Sequence, residues 1–174
     1  MRKLCLAFVL LIMSLSQLNA QPFEYGDNVL NLGIGLTPVY YGNVYSSYSP
    51  GLEASFEHGF FEKLGIGYIG IGGYFGFRNS DFDTQTIIAA RGTYHFDFLD
   101  LTGEDIFENL DVYAGVLMGL RFEKDEYLIT NNFTYGVFDT FIGAHYYFSD
   151  FFGVYNEISY SGISYYTLGI TFKF

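Results

Sequence analysis

The 174-residue chain sets 8 Lys and Arg against 19 Asp and Glu, a formal charge of -11, and contains one Cys and no Trp. An acidic balance of this size argues against nucleic acid as a partner, and a lone cysteine rules out an internal disulfide. With 17 Tyr, 20 Phe and 21 Gly but only 16% charged residues, the composition is ill suited to a water-soluble exterior and well suited to the aromatic girdles and tapering interior of a membrane barrel.

Residues 1–20 open with Arg2 and Lys3, run apolar from Leu4 to Leu15 and close on Gln17-Leu18-Asn19-Ala20. This is the pattern of a secretory signal peptide cleaved after Ala20, and the apolar run falls short of the roughly 20 residues that a spanning helix needs. Cys5 leaves with it. The expected mature chain, 21–174, is one domain without a thiol, and losing Arg2 and Lys3 takes its charge from -11 to -13.

From there the chain reads as short alternating segments separated by turns. The first strand, Val29 to Thr37, sets Leu30, Leu32, Ile34 and Leu36 against Asn31, Gly33 and Gly35, and Pro38 ends it. Pro38 to Pro50 is a long loop carrying Tyr40, Tyr41, Tyr45 and Tyr48 among Gly, Asn and Ser, the residues that binding loops favour. Two readings stand for those tyrosines: a surface contact loop, or an interfacial girdle. The second strand, Leu52 to Phe60, alternates Leu52, Ala54 and Phe56 with Glu53, Ser55 and Glu57.

The third segment, Gly65 to Phe77, is ragged, because Ile66 and Tyr68 share one parity while Ile69, Ile71, Phe75 and Phe77 share the other. A bulge near Gly70 to Gly73 is expected to restore the phase. These glycines precede no helix, so they are no phosphate cradle. Strand four, Thr84 to Phe98, puts Arg91, His95 and Asp97 on one face. The acidic turn from Leu99 to Asn109 is expected to hold one helical turn, with Thr102 and Asp105 resembling a capping box. Strand five covers Leu110 to Phe122, strand six Asn132 to Phe148, strand seven Phe152 to Tyr160. The eighth, Tyr165 to Phe174, sets Tyr166, Leu168, Ile170, Phe172 and Phe174 against Thr167, Gly169, Thr171 and Lys173.

Eight strands of about 10 residues are predicted to form an all-β, antiparallel, up-and-down transmembrane β-barrel, with both termini on one side. A soluble barrel with an apolar interior is the rival. It would turn Asn31, Gly33, Tyr113, Gly115, Leu117 and Gly143 to water, almost without Lys, which is a poor soluble surface. In the membrane reading those glycines make room for neighbouring side chains in a narrow lumen. The interior face then carries Glu53, Glu57, Asp139 and Glu157 with Arg91, Arg121 and Lys173, and these are expected to pair in a network that plugs the lumen. His95 and His145 share that face. Asp97 and Asp111 also do, at strand ends where water is expected to reach them.

Catalysis and metal binding find little support at this level. Ser55 and His58 have opposite parities, so they form no dyad, and His58, His95 and His145 lack metal-ligand spacing. His95 and His145 meet across strands four and six only if the intervening strand allows it. No cofactor is expected.

With its leader, eight alternating strands and terminal Phe174, the chain resembles the small outer-membrane β-barrels of Gram-negative bacteria, the OmpA/OmpX-like group. Gly143-Ala144-His145-Tyr146-Tyr147-Phe148-Ser149 and Leu168-Gly169-Ile170-Thr171-Phe172-Lys173-Phe174 look like barrel-end segments of its Bacteroidetes-type members. The resemblance spans the mature chain and implies an integral outer-membrane location among its lipids. It also implies recognition of the last strand, through Tyr166, Leu168, Ile170, Phe172 and Phe174, by the barrel-assembly machinery. The expected function is non-enzymatic, structural or surface-interacting through outward loops toward a ligand the sequence does not name. A narrow pore, and then a lipid-modifying enzyme, are the competing classes.

Overall fold

The computed structural model describes residues 22–38, 49–79, 83–125, 131–160 and 163–174. The expected leader, 1–20, and Tyr40, Tyr41, Tyr45 and Tyr48 lie outside the described residues. Within them the strands are β1 (Asn28–Pro38), β2 (Gly51–Gly59), β3 (Gly67–Asn79), β4 (Asp83–Phe96), β5 (Leu110–Asp125), β6 (Asn131–Ser149), β7 (Phe152–Ser159) and β8 (Ser164–Lys173). A short helix α1 (Phe98–Thr102) and a 3-10 turn (Asp105–Phe107) join β4 to β5.

Each strand pairs antiparallel with the next, and β8 pairs with β1, so the sheet closes and no edge is left open. The seam is held in register by Leu30 opposite Phe172, Leu32 opposite Ile170 and Ile34 opposite Leu168. Beyond the last strand, Asn28 N donates to Phe174 O at 2.9 Å and Phe174 N donates to Asn28 O at 3.0 Å. The turns at 60–66, 97–109 and 150–151 share one end of the barrel with Pro22 and Phe174, the first and last described residues, hereafter the terminal end.

The two faces separate as the period-2 pattern requires. Outward parity carries Leu52, Phe75, Ile88, Met118, Phe138, Ile142 and Ile158, all exposed; Met118 is 69% and Phe138 64% exposed. Inward parity carries buried Asn31, Glu57, Arg91, Thr93, His95, Asp111, His145 and Thr171. Polar groups are therefore inside and hydrocarbon outside, the reverse of a soluble barrel.

Three sequence expectations are corrected. β3 has no bulge: it runs in unbroken register against both neighbours, from Leu52–Phe77 to Gly59–Gly70 on one side and from Gly67–Phe96 to Asn79–Thr84 on the other. The raggedness arises because Ile66 belongs to the turn and not to the strand, while Tyr68 keeps inward parity at the terminal end. The register shifts lie instead on the seam, between Gly35 and Pro38 of β1, and between Tyr147 and Ser149 of β6. The helical turn is also displaced. Asp97 caps α1 by accepting from Asp100 N at 2.9 Å, and Thr102 donates to Phe98 O at 2.8 Å instead of opening a capping box. Third, Asp111 is fully buried and not at a wetted strand end.

Candidate functional site

Inside the barrel the charged and polar side chains gather into separate clusters. The largest joins β2, β4 and β7. Arg91 Nη2 lies 3.0 Å from Glu157 Oε2 and 3.5 Å from Glu57 Oε1. Tyr113 Oη donates to Glu157 Oε2 at 3.0 Å, and Thr93 Oγ1 donates to Glu57 Oε2. The Arg91 guanidinium also sits 4.2 Å from the centre of the Phe141 ring, a cation–π contact in a site without bulk water.

Next to it, three strands converge on one carboxylate. His95 Nδ1 of β4 and His145 Nδ1 of β6 each lie 2.9 Å from Asp111 Oδ2 of β5. The far nitrogen of each ring meets another oxygen. His145 Nε2 is 3.1 Å from Asn31 Oδ1, whose own Nδ2 donates to Ser55 Oγ at 3.3 Å. His95 Nε2 is 3.1 Å from Thr93 Oγ1 and 3.4 Å from Glu57 Oε2, which links the two clusters. The Tyr113 ring stacks on His145 with centroids 4.6 Å apart, and Phe23, from the segment ahead of β1, stacks on His95 at 3.9 Å.

The remaining interior charges stand apart. Glu53 accepts from the hydroxyls of Ser164 and, at 2.9 Å, Thr167. Asp139 accepts from the backbone N–H groups of Thr140 at 2.7 Å and Tyr160 at 2.9 Å. Arg121 lies 3.8 Å from Glu123, and Lys173 Nζ donates to Pro22 O at 3.1 Å, 3.5 Å from Asp27. Of the seven residues expected to form one network, the structure thus brings together Glu57, Arg91 and Glu157 and gives Glu53, Asp139, Arg121 and Lys173 local partners of their own.

Sequence reasoning placed Asp111 and Asn31 on the inward face without giving either a partner, and it missed Phe23. The register brings the three together: Asp111 faces His145 directly across the β5–β6 ladder, while His95 faces Tyr113, two residues from Asp111 along β5. The strand between the two histidines does not separate them but supplies the group they share. Phe23 gave no signal, since it precedes the first strand.

Aromatic side chains fill the space left between the polar clusters, and glycines make that possible. A Cβ at Gly143 would collide with the Tyr113 ring, and one at Gly33 would collide with the Tyr155 hydroxyl. Ser55 is buried on Asn31 and His58 pairs with Asn28 Oδ1 at 3.1 Å, so the two do not meet. On β8, Leu168 and Ile170 are exposed outward, as is Phe174 just beyond it, and Phe172 packs on Phe152 with rings 5.6 Å apart. In the turn before β3, Lys63 Nζ donates to Asp97 and Asp100 at 2.7 Å each. Hydrogen bonds to Asp100 and Asp97 hold the Lys63 ammonium above the usual lysine range.

No protein-family model matches the sequence, and no curated protein matches it. Solved structures share the fold. The N-terminal β-barrel domain of Pseudomonas aeruginosa OprF superposes with a TM-score of 0.57 at 13% identity, covering 87% of this chain and 100% of that one. Ail, the attachment invasion locus protein of Yersinia pestis, gives a TM-score of 0.50 at 12% identity, covering 86% and 99%.

Proposed function

We propose that this chain, with the fold of the small eight-stranded outer-membrane barrels, is an integral outer-membrane protein of a Gram-negative bacterium that acts without catalysis. Its barrel is a scaffold, and its role is structural or carried by the loops at the end opposite the termini. The observation that supports this reading is the inversion of the faces: Met118, Phe138 and Ile142 turn outward while Arg91, Glu57, Glu157 and Asp111 are buried within. Such an exterior is stable only against hydrocarbon.

The lumen is read as a plug. Arg91 is shared by two carboxylates and packed on Phe141, and aromatic rings occupy the volume that the interior glycines vacate. Eight strands leave an interior just wide enough for side chains. Outer-membrane lipid is the partner of the barrel wall. Tyr166, Leu168, Ile170, Phe172 and Phe174 are proposed to be read by the barrel-assembly machinery, and Tyr40, Tyr41, Tyr45 and Tyr48 to meet an external ligand.

Planar-bilayer recording of the refolded barrel tests the plug. A quiet bilayer is expected. Steady, uniform single-channel openings would instead make the lumen a narrow pore for ions or small solutes.

A further inference from the structure

We infer that His95, Asp111 and His145 form a binding site for one divalent transition-metal ion, of the zinc class, that ties β4, β5 and β6 together inside the barrel. The three ligand atoms lie within 4.8 Å of one another, and all three side chains are buried. Two imidazoles and one carboxylate are the donor set that first-row divalent ions such as Zn(II) take. Ligand atoms around a tetrahedral Zn(II) with bonds of about 2.0–2.1 Å stand ~3.3 Å apart. The 2.9 Å separations from Asp111 Oδ2 need to open by a few tenths of an ångström, and the two imidazole nitrogens, within 4.8 Å of each other, need to close toward the same spacing.

The surroundings supply the second observation. In a metal-ligating histidine the nitrogen away from the ion donates to an oxygen that fixes the ring. His145 has that oxygen in Asn31 Oδ1 at 3.1 Å, and His95 has it in Thr93 Oγ1 at 3.1 Å and Glu57 Oε2 at 3.4 Å. Both rings therefore face oxygen at both nitrogens. A neutral imidazole has one N–H and cannot donate to both sides. An ion at the Nδ1 side removes the conflict, leaving each Nε2–H to its oxygen.

Charge points the same way. The joined clusters hold three carboxylates, Glu57, Asp111 and Glu157, against the single guanidinium of Arg91. With both imidazoles neutral, as metal ligation requires, two negative charges remain in the joined clusters. One divalent cation cancels both. Phe23 on His95 and Tyr113 on His145 close the site from solvent, so the ion is held as a structural clamp and is taken up while the barrel closes.

The test uses the untagged full chain, refolded into detergent with Co(II) or Zn(II) and passed over a desalting column. About one metal per chain is expected by elemental analysis, with Co(II) giving the visible absorption bands of a low-symmetry four-coordinate site in which both Asp111 oxygens, each within 3.0 Å of His95 Nδ1, complete the donor set. His145→Gln should reduce the metal to about a tenth of that or less, with His58→Ala as the variant that keeps it. The wild-type spectrum decides the question even if His145→Gln fails to fold. A folded, heat-modifiable wild-type barrel that emerges without metal, or a folded His145→Gln that retains it in full, overturns the site and shows that protons balance the cluster. Neither result bears on the conductance test of the plug.

Discussion

Two glutamates two turns of the pleat apart on β2 are buried by opposite means. Glu57 meets a cation and a ring nitrogen: Arg91 at 3.5 Å and His95 at 3.4 Å, with the Thr93 hydroxyl. Among the described residues Glu53 meets neutral hydroxyls: Ser164 and Thr167 donate to it, and Tyr74 lies beside them. Glu57 sits in the charge-dense half of the lumen that the Phe23 segment covers, Glu53 beside the irregular start of β8. One fold can thus bury an acid either by charge compensation or by polar packing. Only the first makes the acid indispensable, because removing one member of a buried ion cluster strands the others.

The largest expected effect follows from that asymmetry. Arg91→Ala strands Glu57 and Glu157 together and should cost about 3–5 kcal/mol, measured by urea unfolding of the barrel in detergent or lipid vesicles. A loss near zero would mean that the two carboxylates find other compensation and that the charge-dense half is not organised by Arg91. Glu157→Gln, which weakens a pair and a tyrosine hydrogen bond, should cost about 1.5–3 kcal/mol; unchanged heat-modifiability on a gel counts against it. Glu53→Gln sharpens the contrast, since an amide can still accept from both hydroxyls. It should change stability by less than about 1 kcal/mol, and a larger loss than for Glu157→Gln would invert the comparison.

The smallest effect belongs to the turn. Lys63 bridges Asp97 and Asp100 in water, where such pairs are worth about 0.2–1 kcal/mol. Its pKa is raised on folding by hydrogen bonds to Asp100 and Asp97. The stabilisation is therefore complete below the unfolded lysine value of about 10.4 and is lost only as pH rises through the higher folded value. Lys63→Ala should accordingly lower the urea midpoint slightly and equally at pH 7 and pH 9. No penalty at either pH would show that the lysine is not held.

Parity made much of this legible from residues alone. Alternation along β2, β4, β5 and β8 assigns Glu53, Glu57, Arg91, Asp111 and Lys173 to the lumen, and the observed burial agrees. Alternation carries no information about neighbours across the ladder, so it could not say that Arg91 would reach Glu57 and Glu157 while Lys173 turned to Pro22 and Asp27. It also misjudged depth. Asp111 is the second residue of β5, yet it is fully buried beside His95, on which Phe23 stacks, so nearness to a strand terminus did not mean nearness to water. The ragged β3 misled for a related reason: a turn residue, Ile66, was counted into the strand's alternation.

The claim on which the rest stands is that the wall of the barrel meets hydrocarbon. A nitroxide placed at Met118, the outward residue of β5 that is 69% exposed, reads this directly. With Cys5→Ser and Met118→Cys in the barrel reconstituted into lipid vesicles, oxygen, which concentrates in the bilayer, should relax the label strongly, and a water-soluble paramagnetic chelate should not. Preferential relaxation by the chelate would put Met118 in water and contradict the account.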